Sequence, residues 1–201
     1  RGQRDRGARP DPGPRREIPG EHRQRPGRRR HGRDRAAGAR VERREFEVVR
    51  ALQSQGLRHV VAEHMLSGPG LVRLHRALAQ VNGVAAPELT ASDIVAGLDD
   101  ALCAETVEVF CGMLGGFAGN VALTLGARGG VYLGGGVLPR MVERVCAGCF
   151  RTRFIANPDM ADYLSAIGTA LIVAPQPALT GAAAWLSRCA QGTGGLRHAP
   201  L

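Results

Sequence analysis

The chain has 201 residues, of which 44% are hydrophobic, enough for one core or for one lobe of a larger protein. No apolar run reaches the roughly eighteen residues of a membrane span, and no secretory signal stands at the start, so we expect a soluble, cytoplasmic protein without membrane contact. The formal net charge of +9 is uneven: residues 1–44 contain sixteen Arg and six acids, whereas residues 45–201 contain eleven Arg and twelve acids.

Residues 1–44 are rich in Arg, Gly and Pro, and their only large aliphatic side chains are Ile18 and Val41. Burial at two positions cannot offset the entropy of ordering the chain, so the composition predicts a disordered arm that ends at residue 44. Three consecutive Arg at 28–30 are of the type that binds nucleic-acid phosphates, but no aromatic side chain is interleaved to stack on bases. The absence of Lys and of an initiator Met favours a solvated tail, or an out-of-frame translation of a GC-rich gene, over a nucleic-acid partner.

From residue 45 onward, apolar residues recur with a helical period. The first such stretch places Phe46, Val49 and Leu52 on one stripe and stops at Gly56, a candidate C-terminal cap. It therefore predicts an amphipathic helix at the start of a globular region that spans residues 45–201.

Two further helices are predicted from their start signals. Ser67 is a candidate N-cap with Pro69 in the first turn, and Thr90 or Ser92 caps a short helix further on. The first of these helices directs three leucines to the core, Leu71, Leu74 and Leu78.

A long apolar stretch that begins near residue 100 predicts a helix of more than five turns, and its many Gly and Ala residues indicate close packing against another element. The run VYLGGG that follows is typical of a strand covered on both faces, and Pro139 begins a helix after it. A second buried strand, TALIVAP, precedes a helix in PALTGAAAWLSRC. This order predicts an α/β layer with parallel strands and right-handed crossovers.

Five cysteines, an odd number, favour reduced thiols over a disulfide framework. Cys146 and Cys149 form a CxxC, but no second pair and no neighbouring histidine completes a zinc site. We therefore expect no metal at the cysteines.

Gly134, Gly135 and Gly136 follow the first predicted strand directly. In α/β sheets ligands bind beyond the carboxyl ends of the strands, where a glycine turn into a helix offers main-chain N–H groups to an anion or a nucleotide. The run matches neither a Walker loop nor a GxGxxG fingerprint, so by itself it favours a structural turn over a ligand site.

Four stretches carry a resemblance to a known family: HVVAEHMLSGPGLVRLHRAL, FAGNVALTLGARGGVYLGGGVLPR, FRTRF and PALTGAAAWL. Across residues 57–187 the chain resembles the C-terminal portion of bacterial glucokinase, in the actin-like (ribonuclease H-like) superfamily of sugar kinases. The resemblance implies an incomplete C-terminal α/β lobe of such a kinase. It also implies ATP-dependent phosphorylation of glucose at the C6 hydroxyl, the first step of glycolysis.

The resemblance implies particular site residues. Glu63 corresponds to the family acid that binds hydroxyls of the sugar, whereas for His59 and His64 helix packing is the better expectation. Gly134, Gly135 and Gly136 are implied to lie against the adenosine and phosphates of ATP. Asn120 either contacts ATP or fixes a nearby loop.

The resemblance also implies what this chain does not supply. The first phosphate loop, the catalytic Asp and a PGEGGH stretch are expected upstream, and the similar IPGEHRQRP at residues 18–26 is a chance match. We therefore assign no catalytic residue, place the Mg²⁺ ligands outside the chain, and expect the chain to be inactive alone. A homodimer is expected by family analogy. Two alternatives stay open: a non-catalytic sugar-sensing protein with a nucleic-acid-binding arm, and another hexose kinase of the same superfamily.

Overall fold

A computed structural model describes residues 15–17 and 28–190, with side chains from residue 39 to residue 190. The helices of this part are α1 (Arg28–Ser54), α2 (Gly68–Asn82), α3 (Ala91–Ala96), α4 (Ala101–Thr124), α5 (Val142–Ala147), α6 (Phe150–Phe154), α7 (Ala161–Ser165) and α8 (Pro177–Ala190). The strands are β1 (Arg15–Glu17), β2 (Val131–Leu133) and β3 (Thr169–Ile172), and two 3-10 turns cover Ala62–His64 and Leu138–Arg140.

The three strands form one small sheet in the order β1-β3-β2. β2 and β3 are parallel, with Val131 opposite Thr169, which confirms the predicted parallel pair; β1 runs antiparallel to β3. β3 is buried as expected, but β2 is not covered on both faces, because Tyr132 is 52% exposed. One face of the sheet edge is therefore open at β2.

The long helix α4 lies at the centre of the packing and is in contact with α1, α2, α3 and α6. A Cβ atom on Gly115 would lie 2.2 Å from the carbonyl oxygen of Phe150, and one on Gly119 would lie 2.5 Å from that of Phe154. The main chains of α4 and α6 can approach this closely only without side chains there, so the predicted close packing is confirmed. Among the described residues α4 is the one helix long and apolar enough to cross a membrane, yet 56% of that stretch is buried inside the fold.

The N-caps predicted for α2 and α3 agree with the structure. The Ser67 hydroxyl accepts the N–H of Gly70 at 3.1 Å, and the Thr90 hydroxyl accepts the N–H of Asp93 at 3.2 Å. Leu71, Leu74 and Leu78 of α2 are fully buried, as their spacing predicts.

Helix α1 corrects two predictions. It begins at Arg28 and runs through the boundary predicted at residue 44, so residues 28–44 are helical and Val41 lies in the core at 1% exposure. The predicted stripe is wrong in part: Leu52 is buried as predicted, but Phe46 is 66% exposed and Val48 is buried. The buried face steps seven residues from Val41 to Val48 and four more to Leu52, and a pattern read from residue 45 misses its first member. The remaining arm residues, 1–14 and 18–27, lie outside the described residues.

The five cysteines are free thiols, and three of them, Cys103, Cys111 and Cys149, are buried. Burial raises the pKa of Cys149 to about 11 and raises that of Cys111 further still. Because the thiolate is the reactive form, these two side chains act as small apolar core residues.

Candidate functional site

The 3-10 turn Ala62–His64, called here the acidic turn, carries Glu63 with an exposed side chain. Ser67 joins this turn to α2, because its hydroxyl donates to the carbonyl oxygen of Glu63 at 2.8 Å and accepts the N–H of Gly70 at 3.1 Å. The same side chain that caps α2 therefore fixes the main chain of the predicted sugar-binding residue.

Two more hydrogen bonds hold the acidic turn. Arg73 of α2 donates from Nη1 to the carbonyl oxygen of His64 at 2.6 Å, and the His64 ring accepts the N–H of Val61 at Nδ1, 3.2 Å away. His64 thus has the packing role that the sequence favours. Arg73 was missed, because its partner is a main-chain carbonyl, which leaves no pattern in the sequence.

Gly70 brings the acidic turn and α2 together. A Cβ atom there would lie 2.6 Å from the carbonyl carbon of Met65, the residue after the turn, which no side chain permits. The main chain of the acidic turn is therefore fixed on α2 by the two hydrogen bonds of the Ser67 hydroxyl and by the close approach of Gly70 to Met65.

Residues 134–136 form the glycine turn at the carboxyl end of β2. Gly135 has a φ of +139°, a conformation that L side chains rarely adopt. A Cβ atom on Gly135 or Gly136 would meet no described atom within 4 Å, so the space above the turn is open. A ligand can therefore approach the main chain here.

The chain after the glycine turn differs from the prediction. Pro139 belongs to the 3-10 turn Leu138–Arg140, and α5 begins only at Val142 and has six residues. The continuous helix predicted from Pro139 is thus divided, and no long helix dipole points at the glycine turn. Any ligand here is contacted by the turn's main chain.

The acidic turn and the glycine turn are neighbours. A Cβ atom on Gly68, the residue after Ser67, would lie 3.6 Å from Cγ2 of Val137, the residue after Gly136. Arg140 also hydrogen-bonds the hydroxyl of Ser92 just inside α3, which holds the chain after the glycine turn in place. The two predicted sites therefore adjoin the same helix start.

Asn120 is placed differently. It lines a cavity of about 530 Å³, called here the α1–α4 groove, together with Ala62 and Met65. Its main apolar walls are Phe46, Val49, Val60, Met65, Met113 and Phe117. Ala62 of the acidic turn lines the groove with Asn120, whereas Glu63 and the glycine turn are not among its lining residues.

A charged pair sits in the α1–α4 groove. Arg153 donates from Nη2 to Oε2 of Glu45 at 2.8 Å, and its Nη1 is 3.7 Å from Oε2 of Glu42. Burial raises the pKa of the Glu45 carboxyl, and the charge of Arg153 opposes that rise. No sequence pattern predicts the contact between Glu45 and Arg153, because the two residues are 108 positions apart.

A turn that carries a carboxylate adjoins a glycine turn at the carboxyl end of a parallel strand, which is where α/β proteins bind their ligands. A family model described as Glucokinase matches residues 33–189. The chain therefore belongs to the glucokinase family, and the match begins upstream of the boundary predicted at residue 44.

Curated relatives and a solved structure agree with this assignment. The chain is 48% identical to a glucokinase of Saccharophagus degradans over 147 residues, which cover 72% of this chain and 46% of that protein. It is 44% identical to a glucokinase of Aromatoleum aromaticum over 155 residues, again 46% of that protein. The crystal structure of a glucokinase from an Antarctic psychrotroph matches with a TM-score of 0.64 and 35% identity, covering 71% of this chain and 45% of that one. The chain thus spans less than half the length of these relatives.

Proposed function

We propose that this chain is the sugar- and nucleotide-contacting part of a glucokinase that transfers the terminal phosphoryl group of ATP to the C6 hydroxyl of glucose. Family membership supports this proposal. The observation that carries it is the contact between the start of α2 and Val137, because it sets the acidic turn beside the glycine turn. Phosphoryl transfer requires a sugar site and a nucleotide site that adjoin.

Glu63 is the proposed sugar ligand. A carboxylate has two oxygens that accept hydrogen bonds from two neighbouring hydroxyls, so it discriminates against sugars that lack one of them. The contacts from Ser67 and Arg73 hold the main chain of the turn in place before the sugar arrives, which lowers the entropy lost on binding.

The glycine turn is the proposed nucleotide contact. Open space above Gly135 and Gly136 admits a ligand to the main chain, and β2 ends there as a nucleotide site in a parallel sheet requires. Asn120, an exposed residue that lines the α1–α4 groove, is proposed as a further polar contact to ATP.

The chemistry that remains is assigned to the part of the kinase that this chain does not span. Phosphoryl transfer needs a carboxylate to orient the attacking hydroxyl, and Mg²⁺ supplies charge neutralisation at the phosphates when it is bound. Within residues 39–190 no group of three or more His, Cys, Asp or Glu side chains is arranged to hold a metal, so we assign Mg²⁺ no residue here. A cytoplasmic location and a homodimer are further proposals by analogy with the family.

Ligand titrations of the intact chain test these assignments without requiring turnover. We expect glucose to bind in a calorimetric or saturation-transfer NMR titration, and Glu63→Gln to weaken that binding at least tenfold, because a hydrogen bond to a charged group contributes about 1.5–3 kcal/mol. Glu88→Gln is the matched control, since Glu88 is a 90% exposed carboxylate away from the site.

The ATP titration separates the two halves of the proposal. Glu63→Gln should leave ATP binding unchanged. Equal loss of glucose affinity in both Glu variants, or loss of ATP and glucose binding together in Glu63→Gln, contradicts the sugar assignment.

A further inference from the structure

Three large apolar side chains that line the α1–α4 groove are exposed to solvent. Phe46 is 66% exposed, Val61 51% and Phe117 48%, and all three line the same concavity. Contiguous exposed apolar surface of this kind marks a place where another surface packs. Asn120, a proposed ligand contact, also lines the groove, but it is a polar residue and not part of the apolar walls.

The chemistry of the groove favours a polypeptide over a sugar or a nucleotide. Its walls are mostly aliphatic and aromatic, and its charged side chains are Glu42, Glu45 and Arg153, so the lining has a net charge of −1. Glu45 and Arg153 are paired and largely buried, whereas the Glu42 side chain is 69% exposed at the rim. The complementary surface is an apolar segment with one basic residue placed to meet Glu42.

The occupant follows from the length of the relatives. Because the chain spans 46% of the glucokinase of Saccharophagus degradans, more than half of a complete kinase of this family remains to pack against it. A second copy of this chain suits the groove less well, since a self-complementary contact sets the same acidic rim against itself.

We propose that the α1–α4 groove is the docking surface for the remainder of the glucokinase polypeptide, which inserts an apolar segment between α1 and α4 with a basic side chain against Glu42. This inference rests on the proposed function only in naming the kinase as the partner. It assigns a structural use to the Glu45–Arg153 pair, which forms the polar floor of the contact.

Co-expression of the tagged full chain with the portion of the Saccharophagus degradans glucokinase outside the match tests the proposal. We expect the two to co-purify, and expect Phe117→Asp to weaken the complex at least tenfold. Val84→Asp is the matched control, because Val84 is also a 51% exposed apolar residue and lies outside the groove. Glu42→Arg should weaken the complex as well, since it reverses the charge that the basic residue meets.

A chimera provides a second measurement if the separate portion does not fold. In it, residues 33–189 replace the matched part of the relative. Phe117→Asp should be neutral for the melting temperature of this chain alone, where the ring is exposed, and should lower that of the chimera, whereas Val84→Asp is neutral in both. Phe117→Asp neutral in both proteins overturns the proposal, as does a Phe117-dependent dimer of this chain without any complex with the relative's portion.

The failure of the proposed function is distinguishable from these outcomes. A complex or chimera that is sensitive to Phe117→Asp but phosphorylates no glucose contradicts the kinase assignment and supports the docking surface. A complex or chimera that phosphorylates glucose equally well with Phe117→Asp supports the kinase assignment and contradicts the docking surface.

Discussion

Gly68 and Val137 are neighbours at the start of α2, because a Cβ atom built on the glycine would lie 3.6 Å from Cγ2 of the valine. Gly68 belongs to the segment that fixes Glu63, and Val137 is the residue that leaves the glycine turn. The segments that follow the proposed sugar-binding turn and the proposed nucleotide-binding turn are therefore neighbours at the first turn of α2.

Arg73 is expected to control glucose affinity without touching glucose. Arg73→Ala removes the donor to the carbonyl oxygen of His64 and should weaken glucose binding about fivefold to tenfold, the contribution of one charge-assisted hydrogen bond. Arg76→Ala, on the same helix, breaks only a surface pair with Glu88 and should change binding less than twofold. Isothermal titration with glucose and with ATP measures both.

The conservative variant of Arg73 separates positioning from folding. Arg73→Lys retains a donor and should recover part of the glucose affinity, while ATP affinity stays unchanged in all three variants. Equal losses for glucose and ATP in Arg73→Ala would instead mean that the whole first turn of α2 has unfolded.

Removing one partner of the Glu45–Arg153 pair is expected to destabilise the fold more than removing both, because a single removal leaves an unpaired buried charge. Arg153→Met leaves the largely buried carboxylate of Glu45 without its partner and should lower the free energy of unfolding by about 3 kcal/mol. The control is Arg40→Met, which breaks a 2.6 Å pair with Glu108 whose Arg is 66% exposed, and should cost less than about 1 kcal/mol. Chemical denaturation followed by circular dichroism measures both values.

A double variant distinguishes a lost ion pair from lost packing. Glu45→Met combined with Arg153→Met should recover most of the stability that Arg153→Met loses, because no unpaired charge remains. If the double variant is less stable than Arg153→Met alone, Glu45 stabilises the fold through contacts other than its pairing with Arg153.

Features with a local cause could be predicted from the sequence. Residue types at short spacing predicted the Ser67 cap and the three buried leucines of α2. The order of strands and helices along the chain predicted the parallel pairing of β2 with β3. The glycine packing of α4 was also visible, because small residues at helical spacing indicate a close neighbour even when the neighbour is unknown.

Features with a distant or main-chain partner could not be predicted. Arg153 meets Glu45 from 108 residues away, and Arg73 binds a carbonyl oxygen that any residue type supplies. Composition also misled: the Arg-rich stretch before residue 44 hid the start of α1, because Val41 alone marks its buried face there. Asn120 was grouped with the glycines by resemblance, and the groove that it lines together with Ala62 of the acidic turn could not be predicted from the sequence.

Adjacent glycines of α4 are expected to respond oppositely to the same substitution. Gly115→Ala places a methyl group 2.2 Å from the Phe150 carbonyl oxygen, so α4 and α6 must separate, at about 1–3 kcal/mol or more. Gly116→Ala meets only the end of the Arg153 side chain at 3.5 Å and should stabilise the helix by up to about 1 kcal/mol. Thermal unfolding of both variants measures the difference, and equal shifts would show that α6 does not pack on α4 in solution.

His75 is expected to make stability depend on pH. The Thr106 hydroxyl donates to the carbonyl oxygen of Leu102 at 2.7 Å, so it accepts at 3.2 Å from Nδ1–H of the His75 ring. Burial lowers the pKa of His75 below its usual value of 6.5; nearby Asp100 opposes this and Arg76 adds to it. The ring also has Nε2 buried without a partner among the described residues. The folded state therefore resists protonation at this position.

The sign of the effect follows from proton binding. As pH falls through about 6.5, the unfolded chain takes up a proton at His75 and the folded chain does not, so the free energy of unfolding should fall by up to about 1.4 kcal/mol per pH unit. Urea unfolding between pH 5.5 and 7.5 measures this slope, to which the raised pKa of Glu45 contributes with the opposite sign. His75→Gln should flatten the slope whatever it does to absolute stability, and His59→Gln, at an exposed ring, should keep it. A slope that survives in His75→Gln would place the titrating group elsewhere in the chain.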